Sequence, residues 1–92
     1  MRRFKGRKKS KSKSQKDHAI RRARERYGLY VTSNDYIEAC RRIRGGKAKF
    51  VDRESNRVSR FRVELAGMEV PVIYDSLRGT IVTVLPETEE VA

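Results

Sequence analysis

The sequence predicts an α+β domain, with two N-terminal helices packed on a four-stranded antiparallel meander sheet. Three observations carry this expectation. Apolar residues recur first at helical spacing and then, from Lys47 onward, in alternation. The alternating runs are separated by turns so short that only antiparallel neighbours can be joined by them. The chain has 92 residues, enough for one small core.

The elements follow in order. Asp17 is read as the N-cap of a first helix, about residues 18–27, because its carboxylate can accept from the exposed amides of the first turn. Ala19, Ile20, Ala23 and Tyr27 form its apolar stripe, and Gly28 stops it. Thr32 or Ser33 caps a second helix, with Asp35 in the first turn where the helix dipole favours an acid. Its buried stripe is Tyr36, Ile37, Cys40 and Ile43. Arg41, Arg42 and Arg44 crowd its last turn before Gly45-Gly46. AKFV, residues 48–51, reads as the first strand, with Phe50 in the core. ESN makes a turn into VSRFRVEL. There Phe61, Val63 and Leu65 face one side and Arg60, Arg62 and Glu64 the other. AG is a tight connection to MEVPVIYD, where Pro71 lacks a ladder donor and so implies an edge position or a bulge. DSLRG turns the chain into TIVTVLP, the last strand, closed by Pro86 and followed by a short acidic segment.

The net charge of +11 is unevenly distributed. Residues 1–16 carry nine Lys or Arg and no acid, leaving 14 basic and 12 acidic side chains for the rest. The chain therefore divides into a basic tail, 1–16, expected to be disordered when free, a nearly balanced domain, 17–86, and an acidic end, 87–92. In the tail, Arg2, Arg3, Lys5, Arg7, Lys8, Lys9, Lys11 and Lys13 are candidate nucleic-acid contacts. Such a cationic segment gains affinity for phosphate polymers by releasing condensed counterions, without reading sequence. It has no hydrophobic face with which to enter a membrane. A tail that only keeps a small protein soluble is the plainer alternative. A single cysteine, Cys40, allows no intrachain disulfide and suits a reducing compartment. Its place on an apolar stripe makes it an inert core thiol. No run is apolar enough to span a bilayer or to serve as a secretory signal, so the expected location is the cytoplasm.

The chemistry-bearing residues centre on DHAIRRARERYGL, where His18, Arg22 and Arg26 stand four residues apart. Each step of four advances the direction by only about 40° on a helix, so the three share a stripe about 80° wide beside the apolar one. An imidazole is the side chain suited to proton transfer near neutral pH. Arginines suit the developing charge of a phosphoryl transition state, because they remain ionised and donate in a planar fork. RNA carries its own nucleophile, the 2′-hydroxyl, so the row fits metal-independent RNA cleavage. One histidine, one cysteine and acids without ligand spacing predict no metal site, and no other cofactor is expected. The Gly45-Gly46 pair follows a helix, unlike the glycines of phosphate-binding loops. By spacing alone the row reads as a solvated helix face.

The His18-x3-Arg22-x3-Arg26-x-Gly28 helix, the second helix ending in Gly45-Gly46 and the closing VIYDSLRGTIVTVLP together resemble the barnase–EndoU–colicin–RelE-like (BECR) ribonuclease-toxin folds. The likeness is greatest to small phage and bacterial members and covers about residues 17–86. It implies helices on one face of the sheet and a site on or beside the other. It also implies that His18 acts as acid or base and that Arg22 and Arg26 bind the scissile phosphate. Thr83 would hydrogen-bond that phosphate, and Tyr74 would supply a further proton or stack on a base. Without the resemblance, Tyr74 is a core-edge tyrosine and Thr83 a β-branched strand residue. Lys49, Arg60 and Arg62 line an RNA groove on the functional reading and form a solvent-facing sheet surface otherwise.

The sequence thus supports two functions of different class. One is a metal-independent endoribonuclease or ribonuclease-fold RNA-binding protein acting on structured RNA, tRNA or rRNA, in the manner of a toxin that an antitoxin would restrain. The other is a phage-type protein that binds and inhibits a host machine, such as a ribosome, polymerase or nuclease, and needs no imidazole. A helix-turn-helix DNA binder fits less well, since GLYVTS is longer than the usual turn and the second helix ends, not begins, in its arginines.

Overall fold

The structure, a computed structural model, describes residues 11–87. Helix α1 spans Lys11–Tyr27 and α2 spans Ser33–Arg44. They are followed by β1 Lys49–Arg53, β2 Val58–Leu65, β3 Met68–Asp75 and β4 Thr80–Val84. The strands pair antiparallel in the order β1-β2-β3-β4, the expected meander.

Helix α1 begins at Lys11, so Asp17 lies inside it and is not its N-cap. Lys and Gln are good helix formers, and Gln15 is anchored by Thr80 Oγ1 and Asp75, so the helix propagates back into what reads as a charge run. The first helix thus extends further back than the expected residue 18, and Arg2, Arg3, Lys5, Arg7, Lys8 and Lys9 lie outside the described residues. At the other end Gly28, at φ +68°, closes α1 with its own N–H on the Arg24 carbonyl and the Leu29 N–H on Ala23. Helix α2 opens with a full capping box. Asp35 N–H donates to Thr32 Oγ1, and Thr32 N–H donates to the Asp35 carboxylate, each at 3.1 Å.

One face of the sheet carries Phe61, Val63 and Leu65 of β2 and Val70, Val72 and Tyr74 of β3, with Ile81 and Val84 in register beside them. Helix α2 covers this face with Tyr36, Ala39, Cys40 and Ile43, and the Tyr36 hydroxyl donates to the Ile81 carbonyl at 2.8 Å. Ile37 is exposed, contrary to its expected burial, because it stands about 100° round the helix from Tyr36 and Ala39 takes the core position instead. Helix α1 runs along β4. Ala19 and Ala23, fully buried and small, let it approach closely, and the Tyr27 hydroxyl donates to the Leu85 carbonyl at 2.5 Å.

Pro71 is neither at a sheet edge nor in a bulge. It sits buried in β3 opposite Arg62. Its carbonyl accepts from the Leu85 N–H, so its nitrogen points the same way, toward the place where the β4 ladder has already ended. The register shifts instead at Val51 in β1 and at Val82 in β4. Phe50 is 61% exposed, not core, because β1 lies beyond the reach of α2, and all of its residues are exposed. The β2–β3 turn is made by Ala66 and Gly67, both at positive φ, as a two-residue hairpin requires.

Candidate active site

The arrangement around α1 follows from the sheet's alternation. Asp75 and Thr80 pair with each other on the face opposite α2, as do Ile73 and Thr83. Gln15 donates to Asp75 Oδ2 at 3.4 Å and accepts from the Thr80 hydroxyl, so this margin of α1 looks onto that opposite face. Helical rotation puts His18 and Arg22 on the same margin, about 60° and 20° beyond Gln15, with Arg26 next to it. On the other side of the helix Ile20 and Arg24 meet the loop of Leu29, Tyr30 and Val31. From Gln15 to Arg22 the helix rises about 10 Å, and from Thr80 to Thr83 the strand advances about the same. Thr83, half-buried, is therefore level with Arg22 on the face toward which the row points.

His18 is half-buried, and it makes no hydrogen bond among the described residues. Loss of solvent first, then the positive charges of Arg22 and Arg21, hold its pKa below the ordinary imidazole value of 6.5, with Glu25 opposing them. At neutral pH it is thus an uncharged imidazole with a free acceptor nitrogen, the form a general base needs. Arg22 Nη1 is held by Glu25 Oε1 at 2.6 Å, which fixes the guanidinium beside the row and leaves its other donors unused. Arg26 is exposed and has no acidic partner among the described residues.

Tyr74 is elsewhere. It faces α2, its hydroxyl lies near the Arg44 guanidinium, and a Cβ added at Gly79 would lie 3.7 Å from it. Burial, chiefly, raises its pKa. His18, Arg22 and Arg26 share one margin of α1, Thr83 lies on β4, the strand along which α1 packs, and Tyr74 is on the other face of the sheet from Thr83. Cys40 is buried as expected, and burial pushes its thiol up.

Among the candidate groove residues, Arg60 is bridged to Glu54 at 2.5 Å and Asp52 at 3.5 Å, and Arg62 to Glu69 at 3.1 Å and Glu87 at 3.0 Å. Each guanidinium is thus ion-paired with two carboxylates. Lys49, next to Arg62 in register, has no acidic partner. Lys13 is on α1 and pairs with Asp17 at 3.7 Å, while Lys11 opens the helix.

Sequence reasoning missed Asp75. It is 2% exposed and accepts from Arg57 at 2.9 Å, from Gln15, and from the N–H groups of Leu77 and Arg78 at 3.0 and 3.2 Å. The Arg57 hydrogen bond, helped by Arg78 and Gln15, holds its carboxyl at a pKa of about 2. An Asp opening a Gly-containing turn is a signal for an Asx turn, but its pairing with Arg57 and Gln15 is a tertiary matter. This hub fixes the β3–β4 turn and the start of α1, and through α1 the position of the row.

Among the described residues no three His, Cys, Asp or Glu side chains gather as a metal site would require, and no helix is long and apolar enough to cross a membrane. No family model, curated protein or solved structure matches this chain.

Proposed function

We propose that this protein is a metal-independent endoribonuclease of the BECR type acting on structured RNA, tRNA or rRNA. One observation carries the reading: an imidazole whose pKa is lowered by burial and by arginines stands in one row with Arg22 and Arg26 on α1, the helix packed along β4, which carries Thr83. His18 accepts the proton of the 2′-hydroxyl as that oxygen attacks the adjacent phosphorus. Arg22 and Arg26 stabilise the charge that accumulates on the phosphorane, and Thr83 donates to a phosphate oxygen. The bond to the 5′-oxygen breaks, water supplies its proton, and a 2′,3′-cyclic phosphate remains. The basic N-terminal residues raise the encounter rate with the polymer and make it fall with salt.

The test is incubation of total RNA in EDTA with wild-type protein and with His18→Ala. Cyclic-phosphate ends from the wild type and none from a folded mutant are expected. Equal cutting by both would remove His18 from the chemistry. A second reading, in which the protein binds and blocks a host machine, draws on the bare β1 edge. RNA left intact by both proteins would favour it.

A further inference from the structure

The residues expected to be core and found outside it gather in one place. Phe50 is 61% exposed, and its ring stands edge-to-face against Phe61, centroids 5.6 Å apart at 77°. Phe61 in turn meets Tyr74 at 5.8 Å and 84°. The three rings run across β1, β2 and β3 on the α2 face, from buried Tyr74 through half-buried Phe61 to exposed Phe50. Because the register shifts at Val51, Arg53 pairs with Ser59 and so shares this face with Phe50. Arg53 is exposed, with no acidic partner among the described residues. At the far end Arg44 reaches in from the last turn of α2, its Nη1 donating to the Gly79 carbonyl at 3.3 Å, near the Tyr74 hydroxyl. The carboxylates of β1 and its turn, Asp52 and Glu54, are tied to Arg60 on the opposite face.

We infer that this strip is a binding site for an unpaired stretch of RNA, with a base stacked on Phe50 and phosphates held by Arg53 and Arg44. It rests on the RNA reading above, and it names a surface separate from the His18 row. A ring held by its neighbours loses little freedom on stacking, and stacking accepts any base because every base has a π face. Cations without competing acids complement the phosphates. A second copy of the chain is a poorer occupant. Pairing two β1 edges would bring the exposed cations Lys49 and Arg53 of one copy to an edge that carries the same two cations.

The chain has no tryptophan, so Phe50→Trp introduces a single reporter. The full chain is titrated with fluorescein-labelled 2′-O-methyl oligouridine, which has no free 2′-hydroxyl and is not cut, and with a duplex of equal length. Phe50→Ala is expected to weaken oligouridine binding by on the order of tenfold. Leu77→Ala, at an exposed turn residue, should leave it unchanged. The tryptophan of Phe50→Trp should be quenched by oligouridine and not by the duplex. Wild-type affinity in Phe50→Ala with an unquenched tryptophan would overturn the site while leaving RNA cleavage at His18 standing. Failure of the wild-type chain to bind or cut any RNA would remove the RNA reading and this site with it. A dimer in sedimentation that Phe50→Ala dissolves would assign the strip to a second copy and overturn the inference.

Discussion

Strands β4 and β1 close the same sheet at opposite ends, and they are built differently. Along β4 the chain lays α1. Ile81 and Val84 are fully buried, Gln15 holds Thr80 and Asp75, and Tyr27 holds Leu85. Along β1 nothing is laid, and Phe50 and Val51 stand open to solvent. The difference separates two tasks. The β4 end supplies stability and a rigid mount for the His18 row, which needs its neighbours fixed. The β1 end adds little to the core, and its side chains are available for contact with other molecules.

Substitutions that sharpen this contrast have graded effects. Ile81→Ala removes a fully buried side chain and should lower stability by about 2–5 kcal/mol in chemical denaturation. Val51→Ala, at 40% exposure, should change it by less than about 0.5 kcal/mol. Similar losses at the two ends would break the contrast.

Asp75→Ala comes next, at about 1–3 kcal/mol, because it leaves the Leu77 and Arg78 N–H groups without their acceptor. The same carboxylate sets an acid dependence. Its pKa in the folded chain, about 2, lies below the ordinary 3.8. Its contribution is therefore complete above the ordinary value and is lost as the pH falls from about 4 through about 2. Since Arg57 is partly exposed, that contribution is on the order of 1–2 kcal/mol, and the wild type should lose it on acidification while Asp75→Ala should not. Tyr27→Phe removes the hydrogen bond to Leu85 and should cost about 0.5–1.5 kcal/mol, with faster amide exchange confined to α1 and β4.

How much of this was legible in the sequence differs between elements. The bounds of β2 and β3 follow from the VSRFRVEL and MEVPVIYD alternation, and the start of α2 follows from Thr32 and Asp35, because these signals are local. The start of α1 was not legible, since the contacts that hold Gln15 come from Asp75 and Thr80, sixty and sixty-five residues away in the chain. Phe50 was misplaced because alternation assigns a face and says nothing of whether a helix reaches it. In the candidate site, the spacing of His18, Arg22 and Arg26 was readable. The neutralisation of Arg60 and Arg62 was not, because it depends on strand register and on Glu87 returning to β2. The separation of Tyr74 from Thr83 depends on the shift at Val82, which no local pattern marks.

The most direct test of the division between the two ends is single-turnover RNA cleavage, followed across protein concentration, for wild type, His18→Ala and Phe50→Ala. The account predicts that His18→Ala loses the plateau rate and keeps the half-saturating concentration. It predicts that Phe50→Ala keeps the plateau rate and needs more protein to reach it. The wild-type rate should fall only below pH 6.5, the ordinary imidazole value, because His18 stays uncharged at lower pH. A His18→Ala protein that cleaves at the wild-type plateau rate would contradict the account.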